Sequence, residues 1–146
     1  MLNKYLEKFK VRAEFTKKEC QHWFVRRPGI IESFVVENNG KITDFFSFYS
    51  LPSSILKHEK YKKLNAAYSY YYFNTSMSLK DLYLNALIKA KELDYDVFNA
   101  LDIMDSKTIF DELLFNGGDG YLQYYLYNWK LNTNVLYPSE IGVVLM

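Results

Sequence analysis

The residues best placed to do chemistry lie in the stretch Phe115 to Trp129. Gly117, Gly118 and Gly120 put three of the chain's six glycines within four positions. Glycine serves where backbone must take positive φ or another chain must approach closely. A tight turn is therefore expected here, with backbone amides exposed and Asp119 as the one side chain on the corner. After it, Tyr121 to Trp129 is dense in aromatic residues that favour a pleated, half-buried surface, which predicts a strand. Such a corner could offer amides and one carboxylate to a ligand. A phosphate cradle is disfavoured, because a helix rather than a strand should open directly after the glycines.

The end of the sequence is the second candidate. Ile141 to Met146 is an apolar run expected to form a strand, which would hold the α-carboxylate of Met146 at a fixed position or simply complete a sheet. Other combinations carry less. Cys20 and His22 fall near each other without a recognisable nucleophile motif, and a metal site would need two further ligands. No Gly-x-Ser-x-Gly elbow occurs. The basic run from Lys57 to Lys63 reads as a solvated surface connection.

These groups need a scaffold, and 146 residues suffice for one domain with a substantial core. Apolar residues at 49% and aromatics at 18% argue against disorder, and a net charge of +1 gives no field pointing to nucleic acid or an acidic membrane. One cysteine excludes an internal disulfide framework and fits a reducing compartment. No run approaches the roughly 18 to 20 apolar residues of a spanning helix, and no signal core opens the chain. A cytoplasmic protein is expected.

Leu2, Tyr5, Leu6 and Phe9 have helical spacing, but no capping residue precedes them. That abrupt start suggests a fragment. Val11 to Phe15 suggests a short strand. Thr16-Lys17-Lys18-Glu19 is a capping box opening a helix through Phe24, which Pro28-Gly29 breaks. Ile30–Glu37 and Lys41–Tyr49 read as strands joined by an Asn39-Gly40 hairpin turn, the second ended by Pro52. Ala66–Phe73 is a further strand. Ser78-Leu79-Lys80-Asp81 opens the longest helix, running to about Leu93 with Leu79, Leu82, Tyr83, Ala86, Leu87 and Ala90 on one face. Asp96–Leu101 is expected as a short buried strand and Lys107–Leu114 as a short helix. Together these predict one α/β (α+β) domain with an antiparallel or mixed sheet.

The segment Gly118-Asp119-Gly120-Tyr121-Leu122-Gln123-Tyr124-Tyr125-Leu126-Tyr127-Asn128-Trp129 resembles the C-terminal signature of the N-myristoyltransferases, enzymes that acylate the N-terminal glycine of proteins. The resemblance runs over the chain through His22-Trp23-Phe24, Phe34-Val35-Val36-Glu37-Asn38, Thr43-Asp44-Phe45, Ser47-Phe48-Tyr49, Leu51-Pro52-Ser53, Ala66-Ala67-Tyr68-Ser69 and Asp96-Val97-Phe98-Asn99-Ala100-Leu101-Asp102. It departs where Leu114-Phe115-Asn116 replaces the family's usual Lys-Phe-Gly. Asn116 tolerates left-handed backbone, so the turn is expected to persist.

The resemblance implies an acetyltransferase-like fold, with this chain as the C-terminal, peptide-binding half. Myristoyl-CoA is then a co-substrate held mainly by an N-terminal half not present here. The partners are that half and proteins with an N-terminal glycine. The implied base is the Met146 carboxylate, which deprotonates the glycine ammonium so that it can attack the thioester without a covalent acyl-enzyme. Ser53, Tyr68 and Asn99 correspond to positions lining the peptide groove, and Leu64, Leu122 and Leu145 to its apolar walls. Gly118, Asp119 and Gly120 correspond to a peptide-facing turn. Alternatives stay open: Pro52-Ser53 is a common turn pair, Asn99 could satisfy buried backbone, and Asp119 could be a turn residue. A different class of function is a base-stacking platform on Tyr68–Phe73 and the Tyr121 strand. A further alternative is a non-catalytic peptide-binding domain.

Overall fold

The computed structural model describes residues 1–132 and 135–145. Its centre is a four-stranded sheet in the order β2-β3-β6-β7, built from β2 (Ile31–Asn38), β3 (Lys41–Ser50), β6 (Ala66–Phe73) and β7 (Val97–Asn99). β2, β3 and β6 pair antiparallel in sequence, and β7 joins β6 in parallel. The β2–β3 turn uses Asn39 and Gly40 at φ 51° and 74°, the left-handed pair that a two-residue hairpin requires.

Helix α1 (Leu2–Leu6) buries Leu2 and Leu6 without a side-chain cap. α2 (Lys17–Phe24) has the full Thr16/Glu19 capping box. α3 (Leu79–Glu92) is capped by Ser78, whose hydroxyl accepts from Asp81 N–H, and buries Leu82, Tyr83, Ala86 and Ala90. α3 covers one sheet face, where Tyr83 meets Phe46 edge-on at 4.8 Å and Phe46 stacks on Tyr72. On the opposite face Phe24 of α2 packs against Phe45, Tyr70 and Tyr71. Two small pairs complete the set: β4 (Ser53–Ser54) with β5 (Lys63–Leu64), and β1 (Val11–Arg12) parallel to β8 (Ile141–Gly142). Among the described residues no helix is long and apolar enough to cross a membrane.

Several expectations need correction. Tyr121–Trp129 forms no strand: it has no ladder, bends at Tyr127 and Asn128 (φ 57° at Asn128), and Tyr121, Tyr125, Tyr127 and Trp129 are 80 to 97% exposed. Aromatic propensity favours strands, but a strand also needs a neighbouring edge, and no described segment pairs with this one. The expected terminal strand is paired only at Ile141–Gly142. β7 is shorter than expected and partly exposed. Lys107–Leu114 is not a helix: Ser106–Ile109 makes one 3-10 turn, and turns continue to Leu114.

Asp44 fastens the β6–α3 connection to the sheet. Fully buried, its carboxylate accepts from the N–H groups of Thr75, Ser76 and Met77 at 2.8, 3.0 and 3.1 Å and from the Ser76 hydroxyl. Burial alone would raise its pKa, but these donors and Thr43 hold it well below the ordinary carboxylate range. A depressed folded pKa contributes stability that is present above the unfolded value, about 4, and is lost as pH falls through the folded value. Asp44→Asn should cost about 2 to 3 kcal/mol in urea unfolding at pH 7, with the gap from the parent narrowing as pH falls below about 4.

Candidate functional site

Tyr49 and Tyr68 are Cα partners across β3 and β6, and Tyr68 is the partner of Asn99 across β6 and β7. Cα partners in a ladder share a sheet face, so these three form one row. The two tyrosine rings stack at 5.4 Å, inclined by 15°. Burial, followed by the neighbouring Tyr68, raises the pKa of Tyr49. The row forms the floor of an open cavity of about 470 Å³. Ala100 and Leu101 extend one wall, Gly120, Tyr121 and Leu122 form a second, and Val144 and Leu145 a third. The size lies within the usual range for ligand sites, and the lining combines apolar groups with three tyrosines, Ser69 and the Asn99 amide.

The third wall is fastened at successive positions. Lys10 N–H donates to Glu140 C=O at 2.9 Å, Met104 N–H to Ile141 C=O at 3.1 Å, and Ala13 N–H to Gly142 C=O at 3.2 Å. The Tyr124 hydroxyl donates to Val143 C=O at 2.7 Å, and Val144 N–H donates to the Tyr71 hydroxyl at 3.0 Å. Burial first, then Tyr71, pushes the Tyr124 pKa up to about 12, so this phenol stays a donor at neutral pH. Gly142 lies directly on the Phe9 ring: a Cβ there would sit 2.8 Å from Phe9 Cδ2 and 3.1 Å from Cβ and Cγ.

A family model described as Myristoyl-CoA:protein N-myristoyltransferase, C-terminal domain, matches residues 1–144. The chain belongs to the N-myristoyltransferase family. Over 146 residues it is 45% identical to a glycylpeptide N-tetradecanoyltransferase of Plasmodium falciparum, covering 100% of this chain and 35% of the relative. A crystal structure of Saccharomyces cerevisiae N-myristoyltransferase with bound myristoyl-CoA is similar at 39% identity and TM-score 0.74, over 82% of this chain and 34% of that one. A ribosomal-protein-alanine N-acetyltransferase from Brucella melitensis shares the fold at TM-score 0.62 and 19% identity, over 88% of this chain and 87% of its own. The acetyltransferase-like fold expected from the resemblance is thus present. The chain spans about a third of the length of the curated relatives it matches.

Of the positions singled out by resemblance to N-myristoyltransferases, Tyr68, Asn99, Gly120, Leu122 and Leu145 all line the one cavity. Ser53 and Leu64 lie outside its lining, opposed as Cα partners in the β4–β5 pair. Gly118 and Asp119 are exposed beside Gly120 without lining it. The expected tight glycine turn is absent: Gly117, Gly118 and Gly120 avoid the left-handed region, and the chain only bends at Asp119. The left-handed residue sits earlier than Asn116, at Leu114 (φ 58°), whose side chain is 85% exposed. Met146 lies outside the described residues.

Sequence reasoning missed Tyr49, Tyr71, Tyr124 and Val144. Tyr49 was readable from its place opposite Tyr68 once the strands were aligned. Tyr71 was hidden in the aromatic run from Tyr70 to Phe73, where both faces are buried and alternation leaves no trace. That burial also removes β6 as a base-stacking platform, since the rings of Tyr70, Tyr71, Tyr72 and Phe73 are core. Gly142→Ala should destabilise the protein by about 1 to 3 kcal/mol in denaturant unfolding, because the methyl has to displace the buried Phe9 ring.

Proposed function

We propose that this chain supplies the peptide groove and the proton acceptor of an N-myristoyltransferase. Its partner is a segment of the kind that makes up the rest of its longer relatives. The observation that carries this reading is the cavity itself. It draws Tyr68, Asn99, Gly120, Leu122 and Leu145 from separate parts of the sequence to one place, and its third wall is the anchored segment leading to the chain end.

In this reading an N-terminal glycine enters between the Tyr49–Tyr68–Asn99 row and the Leu122 and Leu145 walls. Ser53 and Leu64, held together in the β4–β5 pair, contact the peptide further along, as do Gly118 and Asp119. The glycine arrives as an ammonium with no lone pair. The Met146 carboxylate takes one proton, and the freed amine attacks the thioester carbonyl of myristoyl-CoA. As the new C–N bond forms, the C–S bond breaks and its electron pair leaves with the CoA thiolate. The thiolate's charge is balanced by the second proton lost from nitrogen. Myristoyl-CoA, which the yeast structure contains, is a substrate here, and in this reading its binding falls mainly to the segment that the longer relatives carry in addition.

Acyl transfer from myristoyl-CoA to a peptide beginning with glycine provides the test. The chain alone should show no turnover, and the chain joined to the additional segment of a relative should be active. Activity with alanine-first peptides as good as with glycine-first ones would overturn the substrate assignment. Extending the joined enzyme past Met146 by a few residues should lower kcat about 10²-fold or more, the scale of a lost general base, and undiminished kcat would refute the carboxylate's role.

A further inference from the structure

We propose that Tyr71 and Tyr124 are positioning residues that aim the chain end at the substrate amine, an inference that rests on the terminal-carboxylate reading above. The two phenols grip the two polar groups of one peptide unit, that between Val143 and Val144. Tyr124 donates to the Val143 carbonyl at 2.7 Å, and Tyr71 accepts from the Val144 amide at 3.0 Å. A carbonyl and the following N–H belong to one peptide plane, so holding both fixes the rotation of that plane as well as its place. The last ladder pair ends at Gly142, and these two bonds anchor the backbone beyond the strand.

Each phenol is itself restrained. The Tyr71 ring is enclosed by Phe15 at 5.0 Å, Tyr70 at 4.7 Å and Phe24 at 5.8 Å, all nearly edge-on. Its backbone N–H and C=O are both bonded to the buried Ser47 hydroxyl, at 3.2 and 2.8 Å. Tyr124 is carried by the segment that also sends Leu122 to the cavity wall, two residues before it. General-base catalysis is sensitive to displacement of the base, and an error of about 1 Å can cost on the order of 10²-fold in rate. Neither Tyr71 nor Tyr124 lines the cavity, so neither phenol is placed to contact the peptide there.

Tyr71→Phe and Tyr124→Phe remove one oxygen each and keep the rings. In the full-length enzyme each should lower kcat about tenfold, and the double variant about 10²-fold, with the peptide KM within about twofold of the parent. In the same variants amide exchange at Val144 should accelerate while exchange in β3 and β6 stays unchanged. A merely structural role would lower the melting temperature and slow no turnover of the folded enzyme, and unchanged kcat in the double variant would overturn the proposal. The chain-end extension separates the two failures. If extension abolishes turnover while the phenylalanine variants are fully active, the grip alone is wrong. If the extended enzyme is fully active, the carboxylate reading falls and the grip falls with it.

Discussion

Ser47 holds a β-bulge in place, and the site depends on it. The register between β3 and β6 shifts between Phe46 and Phe48, so that Tyr70 and Tyr71 together oppose Ser47. The buried Ser47 hydroxyl bonds both the N–H and the C=O of Tyr71, supplying partners that the interrupted ladder would otherwise deny it. Counting from Ser69, whose hydroxyl meets Tyr83 of α3 at 3.1 Å, simple alternation would send Tyr71 to the α3 side. The extra residue reverses that parity. Tyr70 and Tyr71 both face Phe24, and the Tyr71 hydroxyl reaches the Val144 amide.

The two faces of the sheet consequently have different tasks. The α3 face is closed: Phe46, Tyr72 and Tyr83 are buried and interlock through stacked and edge-on pairs, and buried Phe48 meets Tyr95 and Phe98 edge-on, each pair worth about 0.5 to 1.5 kcal/mol beyond its area. The other face is only half covered. Phe15 and Phe24 close the end around Tyr71, and the Tyr49–Tyr68–Asn99 row remains open as the cavity floor. A rigid, aromatic-packed wall behind an open row suits a site that must hold reacting groups within fractions of an ångström.

What could be read from the sequence was what is decided locally. The Thr16/Glu19 box, the Ser78 cap and the Asn39-Gly40 turn each depend on residues within a few positions of one another, and all three are present. The family motifs identified the cavity lining at Tyr68, Asn99, Gly120, Leu122 and Leu145 because those stretches are distinctive in themselves. Features that depend on distant pairing were not legible. The bulge joins residues 24 positions apart, and the Tyr71–Val144 bond joins residues 73 apart. Tyr121–Trp129 has the composition of a strand, yet pairing needs an adjacent edge that composition does not reveal. The glycines before it suggested left-handed backbone, but glycine permits that region without requiring it.

The most direct measurement is a crystal structure of the full-length enzyme with a glycine-first peptide and a non-hydrolysable myristoyl-CoA analogue. The glycine nitrogen should lie in the cavity bounded by Tyr68, Asn99 and Leu122, with a Met146 carboxylate oxygen about 2.6 to 3.2 Å away and the Tyr71 and Tyr124 bonds intact. A peptide seated elsewhere, or a glycine nitrogen facing a different base with the chain end turned away, would contradict the assignment of both the groove and the proton acceptor.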